Sequence, residues 1–335
     1  MKINDIIKAI LLSAAILMAY SAVAQTFEVS GLGYRIVDGG VEVSSGISAS
    51  VVSIPAEVEY DGEKYFVIGI GENAFKDLAV VNVACPETLR YIDNNAFAGS
   101  DLKIINLPEG LERIGDEAFY ESGLHWVDFP SSLKKIGDRA FSALYDVVLP
   151  EGLEEIGEQA FKGSMFSSSR FPSTLKRLGK GAFSYSDIKY LDLGGQISSL
   201  PSELVRCCKY LRTIIIRENV TEVNPFTYDV SEASNDYYVG HYGPGTHYRY
   251  GEDLGYKTDS YDEVVFADIY LCSSTPPLCN LSDCSITWTL HIPKGTKEIY
   301  QNADGWKNFY KIIDDLETAL PERERLINEA EENQL

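Results

Sequence analysis

The sequence predicts an α/β repeat fold, a solenoid of about seven stacked units of about 22 residues, with short parallel strands and a β cap at both ends. Two observations predict it. The pattern L-x-x-I-G-x-x-A-F recurs at an almost fixed step, and a short apolar-x-apolar-Pro segment follows most copies. A unit this short cannot bury its apolar face alone, so each unit is expected to pack on its neighbours.

Successive phenylalanines of the pattern are separated by 22, 22, 22, 20 and 22 residues. They are Phe75, Phe97, Phe119, Phe141, Phe161 and Phe183. A seventh unit keeps the frame with Val205 at the same position, as a terminal unit can. The one short step drops two residues but preserves the apolar positions Val147 and Leu149, so the core register is expected to survive there.

Two apolar columns precede the phenylalanines and are predicted to point inward. The column eight residues before them is Val67, Leu89, Leu111, Leu133, Leu153, Leu175 and Ile197. The column five residues before them is Ile70, Ile92, Ile114, Ile136, Ile156, Leu178 and Leu200. Glycine dominates the column four residues before them. It predicts a tight turn that either has no room for a side chain or needs a positive φ.

The apolar-x-apolar-Pro segments predict one short strand in each unit. They are Val83–Pro86, Ile105–Pro108, Val127–Pro130, Val147–Pro150 and Ser169–Pro172. Period-two alternation is typical of a strand, and proline ends the ladder because it has no N–H to donate. Successive strands are expected to pair in parallel, about 4.8 Å apart.

The residues four and two before each proline are predicted to face outward. The first of these outward columns is Asn82, Ile104, Trp126, Asp146, Ser168 and Tyr190. The second is Ala84, Asn106, Asp128, Val148, Arg170 and Asp192. Aromatic side chains on an exposed strand face are favoured anchors at recognition surfaces. The alternative is that they only fill cross-strand contacts. The partner-binding candidates on this face are Asn82, Ile104, Asn106, Trp126, Asp128, Arg170, Tyr190 and Asp192.

The extended pattern, L-x-x-I-G-x-x-A-F-x-x-S/C-x-x-L-x-x-I-x-L-P, resembles the BspA-like class of leucine-rich repeat. Its best copy is Leu111 to Pro130, and the resemblance covers roughly Val52 to Val223. The class often carries cysteine three residues after the phenylalanine, where this chain mostly has serine and matches only at Cys208. The resemblance implies a secreted or cell-surface, non-enzymatic bacterial protein, with roles in adhesion and in binding host proteins.

The segments on either side of the repeats, residues 67–224, have their own signatures. Residues 1–24 predict a secretory signal peptide, with two lysines before an apolar run and Ala22-Val23-Ala24 as the cleavage site. Residues 25–66 predict an N-terminal β cap with a hairpin at Tyr60–Glu63. Residues 264–316 predict a C-terminal cap, and residues 317–335 an acidic tail, charged and helical or frayed.

The repeat frame fails after Val223, where the scaffold is expected to stop. Residues 225–263 are rich in Tyr, Gly and Asp and predict a long excursion, which is where binding function commonly lies. The tyrosines proposed for partner binding there are Tyr237, Tyr238, Tyr242, Tyr248 and Tyr250. The alternative is an irregular loop with no partner.

Charge and motif content narrow the function classes. A net charge of −21 argues against nucleic acid as a partner, because phosphates would be repelled. His241 and His247 lack a recognised metal-ligand spacing, and neither a metal nor a cofactor is predicted. Catalytic patterns such as G-x-S-x-G and H-E-x-x-H are absent. Cys272, Cys279 and Cys284 cluster where a local disulfide would staple the C-terminal cap.

These observations lead to three hypotheses of function. The leading one is an exported, non-enzymatic recognition module that binds a protein or glycan, with host adhesion as one role, through the strand face, the tyrosine-rich segment or both. It is expected outside the cell or at its surface, with the periplasm as the alternative. The second is a passive structural component of a bacterial surface assembly. The remote third is an unrecognised hydrolase.

Overall fold

The computed structural model describes residues 25–141, 143–166, 171–193, 195–206, 208, 210–224, 268–279 and 286–332. The predicted signal peptide and the tyrosine-rich segment, with its five candidate tyrosines, lie outside the described residues. Arg170 and Ser168 of the outward columns also lie outside them, as does Cys284.

The described strands are numbered in chain order. The first are β1 (Thr26–Val29), β2 (Leu32–Val37), β3 (Gly40–Ser45), β4 (Val51–Ser53), β5 (Glu57–Tyr60), β6 (Glu63–Ile70), β7 (Asn82–Ala84), β8 (Tyr91–Ile92), β9 (Ile104–Ile105) and β10 (Arg113–Ile114). The rest are β11 (Lys135–Ile136), β12 (Glu155–Ile156), β13 (Arg177–Leu178), β14 (Tyr190–Leu193), β15 (Ser199–Leu200), β16 (Thr213–Ile216), β17 (Glu222–Val223), β18 (Asp268–Leu271), β19 (Leu278–Cys279), β20 (Ile286–His291) and β21 (Phe309–Ile313).

The described helices follow these strands or connect them near the C-terminus. They are α1 (Lys297–Asn302), a 3₁₀ turn at Trp306–Asn308, and α2 (Leu316–Glu332). In the repeats, the described segments that carry Ala and Phe form turns rather than helices, which corrects the α/β repeat expected from the sequence. The residue two before each phenylalanine position explains this, because its φ is positive, between 49° and 60°. Seven residues share this conformation: Asn73, Asn95, Glu117, Arg139, Gln159, Gly181 and Glu203.

The N-terminal strands start antiparallel and then join a parallel sheet. Strands β1, β2 and β3 form a meander, and β3 pairs in parallel with β6. The predicted hairpin at Tyr60–Glu63 is confirmed: β5 and β6 pair antiparallel around Asp61 and Gly62, which both have positive φ. Positive φ at both central residues is what a two-residue hairpin with the correct twist requires.

A parallel ladder runs through the isoleucine column and was not predicted from the sequence. We call it the Ile ladder; in it β6, β8, β10, β11, β12 and β13 pair in order. Its register joins Ile70, Ile92, Ile114, Ile136, Ile156 and Leu178. From β8 onward each strand has only two residues, too few to show an alternating pattern.

The second ladder uses the predicted apolar-x-apolar-Pro segments, but it is interrupted. Strands β4, β7 and β9 pair in parallel, and β14, β16, β18, β20 and β21 form a second parallel sheet. The strands predicted at Val127–Pro130 and Val147–Pro150 are wrong, because the structure has no strand at these described residues, although Val147 forms an isolated bridge with Phe166. The Phe129 ring nevertheless points inward, as its position predicted, and packs edge-on against both Phe141 and Phe161, at 5.4 and 6.0 Å.

The expectation that the scaffold stops after Val223 is also wrong. Strand β18 pairs in parallel with β16, so Thr213–Ile216 and Asp268–Leu271 are adjacent. Strand β20 pairs with β18 and β21 with β20, which extends the sheet further. The ladder therefore continues after residues 225–267, with β18 directly beside β16.

The core consists of the columns predicted to point inward. All members of the two apolar columns are buried except Leu178, which is partly buried. The serine column is buried as well, and its hydroxyls close the turns: Ser100 and Ser122 donate to the carbonyl oxygens of Phe97 and Phe119 at 2.8 and 2.9 Å. At the cysteine position, the Cys208 thiol lies 3.0 Å from the carbonyl oxygen of Phe183.

The phenylalanines form a continuous stack of nearly parallel rings. Successive centroids are 4.9, 5.3, 5.2, 5.7 and 6.3 Å apart from Phe75 to Phe183. The spacing begins close to the distance between paired strands, about 4.8 Å, and widens toward Phe183. The widening coincides with edge-on contacts from Phe129, Phe166 and Phe171.

We expect Phe119→Ala to lower the free energy of unfolding by about 3 to 5 kcal/mol, because it opens a cavity between two stacked rings. Phe119 is 1% exposed, whereas its neighbour Tyr120 is 36% exposed. Tyr120→Ala is therefore the matched control, with an expected loss below about 1 kcal/mol. Urea denaturation of the two variants measures both. Equal losses would contradict the assignment of Phe119 to the stack.

Candidate functional site: a divided outward face

The outward columns predicted from the sequence form a face that divides into two halves. The open half runs from Val51 to Val148, and the covered half from Tyr190 to His291. Parallel register joins the first three positions of the open half, Val51, Asn82 and Ile104. Trp126 and Val148 belong to this half by their positions in the outward columns and by their exposure. In the covered half, Tyr190 pairs with Thr213 in the first column, and Asp192 with Ile215 in the second.

The open half exposes four large apolar side chains. They are Val51 (65% exposed), Ile104 (59%), Trp126 (62%) and Val148 (57%). The candidates Asn106 and Asp128 are exposed beside them, and Asn82 is partly buried. An indole this exposed is costly in water, and it is well suited to anchor a partner.

Trp126 belongs to an aromatic cluster that fixes its position. We call His125, Trp126 and Tyr145 the Trp126 cluster. The Trp126 ring meets Tyr145 edge-on at 5.4 Å and His125 edge-on at 5.9 Å, while His125 stacks on Tyr145 at 5.3 Å. Burial lowers the pKa of His125, which keeps its ring neutral at physiological pH. These contacts position the indole and leave most of its surface free.

Helix α2 packs on the covered half. Ile215 and Tyr270 form a small apolar cluster with Leu316, and Leu320 and Ile327 of the helix pack against it. The sequence predicted an acidic tail, charged and helical or frayed, at residues 317–335. The described residues of this tail are helical, as one of the two alternatives predicted. The packing of the helix on the sheet was not predicted, because many of its residues are charged.

The candidates Tyr190 and Asp192 are engaged by α2 and by an arginine of the sheet. The Arg323 guanidinium lies over the Tyr190 ring at 5.6 Å, and its Nε donates to Thr213 Oγ1 at 2.6 Å. Arg217 forms an ion pair with Asp192 and also donates to Glu324 of the helix at 2.9 Å. Neighbouring carboxylates raise the pKa of Arg217, chiefly through its hydrogen bond with Asp192. Tyr190 and Trp126 therefore do not share one open surface.

His291 joins the start of α2 to the sheet. Its Nδ1 lies 2.7 Å from Asp315 Oδ1, its Nε2 lies 3.9 Å from Asp268 Oδ1, and its ring stacks on Tyr270 at 4.6 Å. Burial alone would lower the pKa of His291, but the two carboxylates outweigh it and raise the pKa above the ordinary 6.5. In its protonated form, the imidazole therefore binds the start of α2 to the sheet.

The structure adds residues to the predicted site. Val51 lies four residues before Pro55, so the outward frame continues one unit toward the N-terminus, and that signal was present in the sequence. Val148 was in an outward column but was not a candidate. No sequence signal could identify Arg323, because its partner Tyr190 is distant along the chain.

Among the described residues, no three His, Cys, Asp or Glu side chains are arranged to hold a metal ion. Burial raises the pKa of Asp187, but its carboxylate accepts a hydrogen bond from the Phe166 amide at 2.8 Å. This carboxylate lies outside the cleft between β18 and α2, whose lining includes Tyr270, Asp315 and Arg323. Cys272 carries a free thiol, whose pKa burial raises to about 11.

The fold and the repeated pattern agree with one family. The model of the BspA type leucine-rich repeat region matches residues 68–163 and 142–235, with six copies. The two ranges together span half of the chain, so the protein belongs to the BspA-type leucine-rich repeat family. This confirms the resemblance seen in Leu111 to Pro130. Comparison with curated proteins gives no match.

Solved structures of bacterial leucine-rich repeat proteins are also similar. A leucine-rich repeat protein from Bacteroides ovatus is 19% identical over 85% of this chain and 90% of its own, with a TM-score of 0.38. A leucine rich cell surface protein from Faecalibacterium prausnitzii is 19% identical over 61% of this chain and 73% of its own, with a TM-score of 0.41. The pneumococcal vaccine antigen PcpA is 15% identical over 87% of this chain and 98% of its own, with a TM-score of 0.47. These similarities are low, so family membership rests on the family model.

None of the described helices has the length and apolarity that a membrane span requires.

The His291 contacts predict a pH-dependent stability. Because the folded state raises the pKa of His291, its contribution is fully present below the ordinary value of 6.5 and is lost as the pH rises through the folded-state value. We expect urea midpoints to fall as the pH rises above 6.5, the ordinary value for histidine. His291→Gln should flatten this dependence, since glutamine keeps a hydrogen bond to Asp315 without a titrating charge. An unchanged pH slope in that variant would contradict the account.

Proposed function

We propose that the protein is a non-enzymatic recognition module that binds a partner through the open half of the outward face. The observation that carries this proposal is Trp126, which is 62% exposed and is positioned by His125 and Tyr145. Ile104 and Val148 are exposed as well and occupy the outward columns one unit before and one unit after it. Exposed aromatic anchors that are held rigidly by their neighbours are favoured as hot spots, because little side-chain entropy is lost on binding.

A protein partner fits this surface better than a glycan. Three of the four exposed apolar side chains, Val51, Ile104 and Val148, are aliphatic and offer no ring for a sugar to stack on. The net charge of −21 adds a preference for a basic partner.

The wider organisation remains part of the proposal. We infer one solenoid of about seven units, an N-terminal β cap at residues 25–66 and a C-terminal cap at residues 264–316. Residues 1–24 direct export, so that the face operates outside the cell or at its surface, where adhesion to a host protein is one use. The tyrosine-rich segment, residues 225–263, is a second predicted contact region.

Binding to immobilised host matrix proteins, with a glycan array alongside, tests the proposal. We expect saturable binding to a protein, weakened by about 2 kcal/mol or more in Trp126→Ala, as for a hot spot. The matched control is Leu278→Ser, because Leu278 is 64% exposed but lies in β19, outside the outward columns.

The proposal would be wrong if no matrix protein bound, or if Leu278→Ser weakened binding as much as Trp126→Ala. Saturable binding to the glycan array that depends on Trp126 would replace the protein partner by a sugar.

A further inference from the structure

The contacts of helix α2 with the covered half show which side chains of the outward face bind a helix. Apolar residues of α2 pack on Ile215 and Tyr270 of the second column. Its Arg323 covers the aromatic ring of Tyr190 and donates to Thr213 in the first column. The face therefore takes an amphipathic helix, with aliphatic side chains along one column and a guanidinium on the other.

The open half continues the same two columns with similar side chains. Ile104 and Trp126 occupy the first column, where the covered half has Tyr190, and Val148 occupies the second, where the covered half has Ile215. In both halves, an aromatic ring in one column is combined with an aliphatic side chain in the other. Only one of the halves is covered by α2.

Charge separates the two halves. In the covered half, Arg217 neutralises Asp192 and also binds Glu324, so a helix with many glutamates is tolerated there. In the open half, Asp128 and Asp146 are exposed, and neither forms an ion pair with a described residue. The nearby Lys103 contributes no ion pair to either carboxylate within the described part of the chain. A helix that docks on the open half must therefore supply the positive charge itself.

We propose that the open half binds a basic amphipathic helix of a protein partner, seated as α2 is seated on the covered half. Apolar side chains of that helix cover Ile104, Trp126 and Val148, and its lysines or arginines meet Asp128 and Asp146. A basic side chain over the Trp126 ring repeats the contact of Arg323 with Tyr190. This inference rests on the proposed function and specifies the chemical class of its partner.

Three synthetic peptides test the inference on the intact protein. The first has the sequence of α2, residues 316–332, which contains six glutamates. The second replaces those glutamates by lysine and keeps the apolar face. The third is the lysine peptide with serine at the positions of Leu316, Leu320 and Ile327, so that it keeps the charge without the apolar face.

Tryptophan fluorescence reports on the site directly. The chain has three tryptophans, and Trp288 and Trp306 are buried, at 5% and 0% exposure. A shift of the emission to shorter wavelength on peptide addition therefore reports burial of Trp126. Calorimetry measures the affinities of the variants independently.

We expect the lysine peptide to bind saturably with such a shift, and the other two peptides to bind about tenfold more weakly or not at all. Asp128→Asn together with Asp146→Asn should weaken the lysine peptide by a similar factor. The control is Glu298→Gln with Asp304→Asn, since Glu298 and Asp304 are exposed and lie in or beside α1, outside the outward columns.

The inference is overturned if the lysine peptide gives no shift, if the serine version binds equally well, or if the control substitutions weaken binding as much as those at Asp128 and Asp146. Trp126-dependent binding to a matrix protein, without binding of the lysine peptide, would retain the proposed function and reject the basic helix. Loss of both would reject the proposed function as well.

Discussion

The close approach of neighbouring units is the constraint on which the rest of the structure depends. A Cβ added to Gly115, Gly137, Gly157 or Gly179 would lie 2.2 to 2.6 Å from a backbone nitrogen of the preceding unit. Real side chains do not tolerate such distances. Of the two explanations the sequence allowed for this glycine column, lack of room is correct, and the positive φ belongs to the residue two positions later.

This approach also positions the polar groups that join the units. The backbone N–H of Asp116 donates to Asn94 Oδ1, and the N–H of Asp138 donates to Asp116 Oδ1, both at 2.8 Å. The N–H of Glu158 continues the row, donating to Asp138 Oδ1 at 2.7 Å. Each acidic or amide side chain thus satisfies an amide of the next unit that would otherwise lack a partner. Part of the negative charge of the chain is structural for this reason.

The sequence could predict the features that one unit repeats in the next. The inward columns, the parallel pairing of the apolar-x-apolar-Pro segments around β7 and β9, and the hairpin at Tyr60–Glu63 all follow from local pattern. It could not predict features that depend on packing between distant segments. The pairing of β16 with β18 joins segments that are separated by residues 225–267. The edge-on contacts of Phe129 with Phe141 and Phe161 likewise join different units.

The candidate site illustrates the same limit. Exposure of Ile104 and Trp126 follows from their positions before a proline, since outward positions alternate with inward ones. The covering of Tyr190 does not follow, because α2 has only a few apolar residues among many charged ones, and its docking relies on Arg323, Arg217 and His291. A single column of the sequence therefore has two different environments along its length.

The division of the outward face into an open and a covered half is the central claim, and hydroxyl-radical footprinting with mass spectrometry tests it most directly. The account predicts rapid oxidation of Trp126 and protection of Tyr270, which is 5% exposed. It also predicts faster oxidation of Tyr190 in Arg323→Ala, with Trp126 unchanged. Protection of Trp126 in the isolated protein, or unprotected Tyr270, would contradict the division.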